Sequence, residues 1–161
     1  MSAKVQRARR LVAPITLPSP TAKPTILVAE DSADGREMMA MLLGLKGYQV
    51  VAAENGLEAI EVAAAYRPDL ILIDLELPKL DGLDVARNLR RHPKLRKIPI
   101  IIISGHDPAK HRQLAIDAGC TDYLLKPIDF DRLDSILKTI VPLHELITDA
   151  PTPELRVGNN N

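Results

Sequence analysis

Five short apolar runs, each followed by a stretch of helical period, constrain this chain more than any other feature. The runs are Ile26–Ala29, Val50–Ala53, Leu70–Asp74, Ile98–Ile103 and Tyr123–Leu125. They are rich in β-branched residues, and the third and fourth are almost continuously apolar, as strands covered on both faces must be. Between them lie amphipathic stripes. Met38, Leu42 and Leu45 share one face, with Met39 and Leu43 beside them. Leu57, Ile60 and Ala64 form the second stripe, and Leu83, Ala86 and Leu89 the third. Leu114, Ala115 and Ala118 form a weaker fourth, and Phe130, Leu133, Leu137, Ile140 and Val141 the fifth. Gly47 and Gly119 follow the first and fourth stripes as helix-ending glycines do. Pro68 and Pro99 stand just before strands, where helix must already have ended. Strict strand–helix alternation predicts an α/β fold, with a parallel sheet, right-handed crossovers and helices on both faces.

The pattern covers residues 25–141 and leaves two ends outside it. Residues 1–24 carry Lys4, Arg7, Arg9, Arg10 and Lys23 and no acid, and residues 13–24 contain four prolines. Proline fixes φ and removes a donor, so this reads as a basic, extended arm. Its arginines and lack of acids faintly resemble a transit peptide, but a solvated arm is the simpler reading. Residues 142–161 read as a flexible tail. The whole chain has 21 basic and 21 acidic side chains, so the remainder beyond the arm holds 16 basic against 21 acidic and is acidic. Nucleic-acid binding by the core is therefore not expected. No apolar run approaches the ~20 residues of a membrane span, and the single cysteine, Cys120, cannot form an intrachain disulfide. A reducing, cytoplasmic setting and a small buried thiol are the expectations.

Open α/β sheets bind ligands at the carboxyl ends of their strands. Here the first strand ends in Glu30-Asp31, the third in Asp74, the fourth in Ser104 and the fifth in Lys126-Pro127. The second ends in Glu54-Asn55-Gly56, a turn without an evident chemical group. Clustered carboxylates raise each other's pKa or demand a cation. All-oxygen ligation suits a hard ion such as Mg²⁺. A carboxylate beside Mg²⁺ and a lysine is placed to attack phosphorus, because phosphoryl transfer needs positioning and charge neutralisation above all. A hydroxyl and an ammonium aimed at the developing oxygens complete the set. Taken alone, each residue has a plainer reading: Asp74 a turn residue, Ser104 a cap, Lys126 a solvated lysine, Asp81 the N-cap of the third helix. The convergence of four strand ends is what favours chemistry.

This arrangement resembles the receiver domain of two-component response regulators. The matching pieces are Glu30-Asp31, LILIDLELPKLDG (70–82), IIIISG (100–105) and DYLLKP (122–127), in order and at strand ends. The resemblance implies a flavodoxin-like doubly wound (βα)₅ fold with strand order 2-1-3-4-5. It implies Asp74 as phospho-acceptor, and Mg²⁺ held by Asp31, by Asp74, by the Glu76 backbone carbonyl and by Glu30 through water. Lys126 would bridge to the carboxylates and then the phosphoryl group, and Ser104 would turn inward to bond a phosphoryl oxygen. Tyr123 would then move into the space Ser104 vacates. Pro127 would follow a cis peptide that orients Lys126. Glu76 and His106, flanking the acceptor, are expected modulators of phosphoryl lifetime. The remaining histidines, His92, His111 and His144, have no metal spacing.

The resemblance further implies a phosphoryl donor, either a sensor histidine kinase or a histidine phosphotransfer protein, and a signalling switch rather than a turnover enzyme. Only 20 residues follow Val141, so a stand-alone receiver with protein–protein output is expected, with a phosphorylation-linked homodimer compatible with it. A different class, a phosphorylation-independent interaction module, would have been signalled by loss of Asp74, Asp31 or Lys126, and all are present. A haloacid-dehalogenase-type phosphatase would place its nucleophile after the first strand with a second Asp two residues on, where this chain has Glu30-Asp31-Ser32. A dinucleotide fold lacks its G-x-G-x-x-G.

Overall fold

In the computed structural model, residues 22–143 are described. The strands are β1 (Thr25–Ala29), β2 (Gln49–Ala53), β3 (Leu70–Asp74), β4 (Ile100–Ser104) and β5 (Asp122–Leu125). They alternate with α1 (Ala33–Leu45), α2 (Gly56–Tyr66), α3 (Gly82–Arg91), α4 (Pro108–Asp117) and α5 (Phe130–Ile140). All neighbouring strands are parallel, in the order β2-β1-β3-β4-β5. The expected doubly wound fold is what the chain adopts. The basic arm and the tail lie almost wholly outside the described residues, as does His144.

Strand alternation sorts the core into two layers. Leu27, Ile71, Ile73, Ile100 and Ile102 face Ala59 and Ala63 of α2, Val85 and Leu89 of α3, and Ala115 of α4. Ile26, Leu70, Leu72, Ile101 and Leu124 face Met39 and Leu43 of α1, and Leu133 and Leu137 of α5. β3 and β4 are buried along their whole length, which is why their sequences carry no polar alternation.

Five local expectations are corrected, the first on α5, where Leu133 and Leu137 are buried but Phe130 is 41% exposed. On α1 the buried residues are Met39 and Leu43, while Met38 and Leu45 are 48% and 81% exposed. Apolar residues surround so much of this helix that period alone offers two faces. On α2 the chain buries Ala59 and Ala63 and exposes Leu57 and Ala64. On α4 Ala115 is buried and Leu114 exposed. Both helices turn their smallest side chains to the sheet, which lets the backbones pack closely. The fourth strand starts at Ile100 rather than Ile98. Pro99 has no N–H to offer the ladder, and the Ile98 N–H donates to the Leu95 carbonyl instead.

The carboxyl edge is set by capping and close approach. Ser32, Asn55, Asp81, Asp107 and Asp129 each accept a backbone N–H as N-caps of the five helices, stopping each strand-to-helix turn at a defined residue. Gly47 and Gly119 take positive φ after α1 and α4, as expected. Gly82 is required for a different reason: a Cβ there would lie 2.6 Å from the Asp74 carbonyl oxygen. Only glycine lets α3 start this close beneath the end of β3.

Candidate functional site

Register places the polar strand ends in one cleft. Ile73 pairs with Ala29, Asp74 with Ile103, and Ser104 with Leu125. Glu30, Asp74, Ser104 and Lys126 therefore follow one another across β1, β3, β4 and β5. Pleat parity divides them. Asp74 continues the Leu70–Leu72 side of its strand, and Lys126 the Leu124 side, toward α1 and α5. Ser104 continues the Ile100–Ile102 side, the layer that also holds Tyr123.

Asp74 is buried. Its Oδ1 accepts the Glu76 N–H at 2.9 Å, and its Oδ2 accepts from the Lys126 ammonium. Lys126 also donates to Glu30 Oε2 at 3.3 Å, and its own backbone N–H donates to the Ser104 carbonyl at 2.8 Å. The Lys126–Pro127 peptide is cis, as expected. Burial alone would lower the Lys126 pKa, but the hydrogen bond to Asp74 and the charges of Asp74 and Glu30 outweigh it and hold it above the ordinary value. Glu30 is pushed up, first by burial, with Asp31 and Asp74 adding to the effect and the Ser32 N–H and Lys126 opposing it.

Glu30, Asp31 and Asp74 each offer a carboxylate oxygen within 4.8 Å of the others. Three acids thus cluster around one ammonium, and burial already makes Glu30 reluctant to ionise. A hard divalent cation with oxygen ligands fits this donor set. Asp31 is exposed, so a metal there would keep water ligands, the habit of Mg²⁺.

Ser104 is almost fully buried, and its Oγ accepts the His106 N–H at 3.0 Å. Tyr123 is buried too, with its hydroxyl donating to the His106 carbonyl at 3.0 Å. The ring already occupies the inward position that the sequence reading reserved for the phosphorylated state. Above the cleft the His106 ring meets Glu76, Nε2 to Oε1 2.5 Å, and lies against His111 with ring centres 4.9 Å apart. The two residues expected as modulators are in contact across the mouth of the Asp74 cleft.

Two contributors were missed from the sequence. Arg36, in the first turn of α1, donates from Nη1 to the carbonyls of Glu30 (2.8 Å) and Asp31 (2.9 Å). Its position five residues after the acidic pair was the available signal. Gly56, read as a plain turn, donates its N–H to the Pro78 carbonyl at 3.2 Å. A Cβ on it would overlap the Leu80 carbonyl, so the β2–α2 turn buttresses the loop that follows Asp74.

Comparison with known proteins matches this architecture to a class. The family model for the response regulator receiver domain matches residues 26–138. The chain belongs to the response-regulator receiver family. Among curated relatives, the response regulator MprA of Mycobacterium ulcerans is 36% identical over 124 residues, which are 77% of this chain and 53% of that protein. The chain thus spans about half the length of the curated relatives it matches. Among solved structures, the chemotaxis protein CheY4 of Vibrio cholerae superimposes with a TM-score of 0.70 at 27% identity, covering 74% of this chain and all of that one. The receiver domain of the sensor histidine kinase PA1611 from Pseudomonas aeruginosa, whose structure has a magnesium ion coordinated in the active-site cleft, gives a TM-score of 0.68 at 33% identity, covering 74% of this chain and 98% of that one. Among the described residues no helix is long and apolar enough to cross a membrane.

Proposed function

We propose that this chain is a Mg²⁺-dependent phosphorylation switch that accepts a phosphoryl group on Asp74 from a protein phosphohistidine. The carrying observation is the buried Asp74 carboxylate held by Lys126 inside a three-carboxylate cluster. Asp31, Asp74 and the Glu76 carbonyl would hold the metal, with Glu30 acting through water. The ion supplies neutralisation of charge on the phosphoryl oxygens. In the transfer an Asp74 oxygen forms the new O–P bond as the donor's N–P bond breaks, and the departing imidazole takes up a proton. Lys126 is already charged and in place, so it stabilises the phosphoryl oxygens without rearranging far. Ser104 supplies a hydroxyl once it gives up its bond from the His106 N–H.

Beside the acceptor lies a groove of about 380 Å³, lined by Glu30, Met38, Met39, Lys126, Pro127 and Phe130. Met38 and Phe130 are exposed there. An apolar rim next to a phospho-acceptor suits docking of a protein donor, either a histidine kinase or a histidine phosphotransfer protein. Output is by protein contact through the α4–β5–α5 face, to which Ser104 and Tyr123 connect the acceptor; a phosphorylation-linked homodimer would use the same face. In this reading the chain acts in the cytoplasm as a switch and not as a turnover enzyme. The Glu76–His106 contact sets phosphoryl lifetime by controlling water entry. Swapping both residues should alter the dephosphorylation rate, and an unchanged rate removes them from that role.

The inward Tyr123 favours a second reading, a module whose α4–β5–α5 face is bound whether or not Asp74 is phosphorylated. One experiment separates the two. The chain has no tryptophan, so intact mass is the readout after incubation with acetyl phosphate and Mg²⁺, beside Asp74→Ala. A gain of about 80 Da that needs both Mg²⁺ and Asp74 establishes the switch. No gain from a folded chain, with acetyl phosphate or with a phosphorylated histidine protein, favours the constitutive module.

A further inference from the structure

We propose that Arg36 is a positioning residue for Mg²⁺, fixing the backbone that carries Glu30 and Asp31. The inference rests on the phospho-acceptor reading above. The last ladder bond of this edge is the Glu30 N–H to the Ala53 carbonyl at 3.0 Å. From there to the Ser32 cap, the chain leaves the sheet with two carboxylates on consecutive residues. Arg36 reaches back from the helix into this gap. A single Nη1, which carries two hydrogens, donates to both the Glu30 and Asp31 carbonyls at 2.8 and 2.9 Å. The other nitrogen of the fork, Nη2, lies 3.7 Å from Glu54 Oε2, beyond the end of β2. The side chain is 21% exposed, so the guanidinium sits in the seam between the two loops and not in solvent. Through Arg36 the first turn of α1, the acidic loop and the end of β2 become one unit.

The charge of Arg36 and its hydrogen bonds act on the metal in opposite directions. As a cation bonded to the backbone of two of the acidic residues it competes with Mg²⁺, so deleting the charge alone would tighten metal binding. As a clamp on two peptide groups it pre-orients the ligands, and losing it would weaken binding. Outer-shell partners of metal ligands typically change affinity about 10–100-fold. Lysine keeps the charge, but its side chain is one bond shorter and lacks the second nitrogen of the fork, so it cannot hold both carbonyls and face Glu54 at once; methionine keeps only the stem.

The test is calorimetric titration of MgCl₂ into the full chain and into Arg36→Lys, Arg36→Met and Arg87→Met. Melting in EDTA is measured alongside. Arg87, paired with Asp84 on the surface of α3, controls for loss of a guanidinium elsewhere. Both Arg36 variants are expected to raise the Mg²⁺ Kd about tenfold or more and to melt somewhat lower in EDTA, because two carbonyls lose a charged donor, while Arg87→Met leaves the Kd unchanged. Tighter binding by Arg36→Met with no change in Arg36→Lys would show a purely electrostatic role and overturn the proposal. A lowered melting point with an unchanged Kd would show a structural role and overturn it as well. Should Arg36→Met not fold, the Kd of Arg36→Lys decides alone. A wild-type chain that binds no Mg²⁺ overturns the phospho-acceptor reading first, and this inference with it.

Discussion

The two ends of this sheet are built from the same five strands and treat polar groups in opposite ways. At the amino end, polar side chains are matched with backbone. Asp69 accepts the Thr25 N–H at 2.7 Å and returns its own N–H to the Thr25 carbonyl. Thr121 accepts the Ile100 N–H through its hydroxyl. Arg90 donates to the Ile98 and Gly119 carbonyls, both at 2.8 Å. Cys120 is sealed beneath, its thiol pushed up to about 11 by burial, with Arg90 and Arg87 opposing the shift. At the carboxyl end Glu30 and Asp74 share one lysine with Asp31 clustered beside them, and burial keeps Glu30 reluctant to ionise. The amino end is satisfied by the chain itself. The carboxyl end holds like charges together, the arrangement on which the proposed metal and phosphoryl chemistry rests.

If that division is right, mutations at the two ends should dissociate. The largest effect is expected from Asp74→Asn, which should abolish the Mg²⁺-dependent mass gain while changing stability by less than about 1 kcal/mol, read by urea denaturation. The amide oxygen can still accept from Glu76, so the loop has no reason to open. A large loss of stability would break the comparison, because it would make Asp74 structural.

Next in size, Mg²⁺ at about 100 times its Kd should stabilise the chain by about 2.7 kcal/mol through mass action, and EDTA should remove the effect. Slightly smaller, Arg90→Ala should cost about 2 kcal/mol, because two carbonyls lose a charged donor. It should leave both the mass gain and the Mg²⁺ response intact. Any loss of phosphoryl uptake in Arg90→Ala would show that the two ends are coupled through the sheet.

The smallest effect sharpens the comparison most. The Glu30 pKa is raised in the folded state, so the fold binds that proton more tightly than the unfolded chain does. Its contribution is fully favourable below the unfolded value of 4.5 and is lost as pH rises through the folded pKa. Without Mg²⁺, Glu30→Gln should therefore melt slightly higher than wild type at pH 7. The gap should close below about pH 4.5, where both side chains are neutral. With Mg²⁺ the order should reverse, since the metal needs the ionised cluster. A variant that melts lower at pH 7 in EDTA would show that the Lys126 pairing outweighs the burial of Glu30.

Much of this was legible beforehand, for identifiable reasons. Parallel strands buried on both faces must be apolar throughout, so LILID and IIIIS stand out against any background. The polar groups gather where such runs stop, so Glu30, Asp31, Asp74, Ser104 and Lys126 could be named from strand ends alone. Asp81, Gly47 and Gly119 carry their roles in their residue types, as a cap and two left-handed turns. Helix faces were less legible. α1 is apolar on too many sides for period to choose between Met38–Leu45 and Met39–Leu43. α2 and α4 bury alanine because close packing against the sheet, not hydrophobicity, decides which face turns in.

The sequence by itself determined the alternation, the parallel sheet and the identity of the acidic cluster with its lysine, because each follows from local pattern and order along the chain. Only the tertiary structure decided that Arg36 closes the acidic loop, that Gly56 supports the loop after Asp74, that Glu76 touches His106, and that Tyr123 lies inward on the His106 carbonyl. Each of these joins segments that meet only after the sheet has formed, or depends on where a long side chain turns. Residue order leaves such distances and rotamers open until packing selects one.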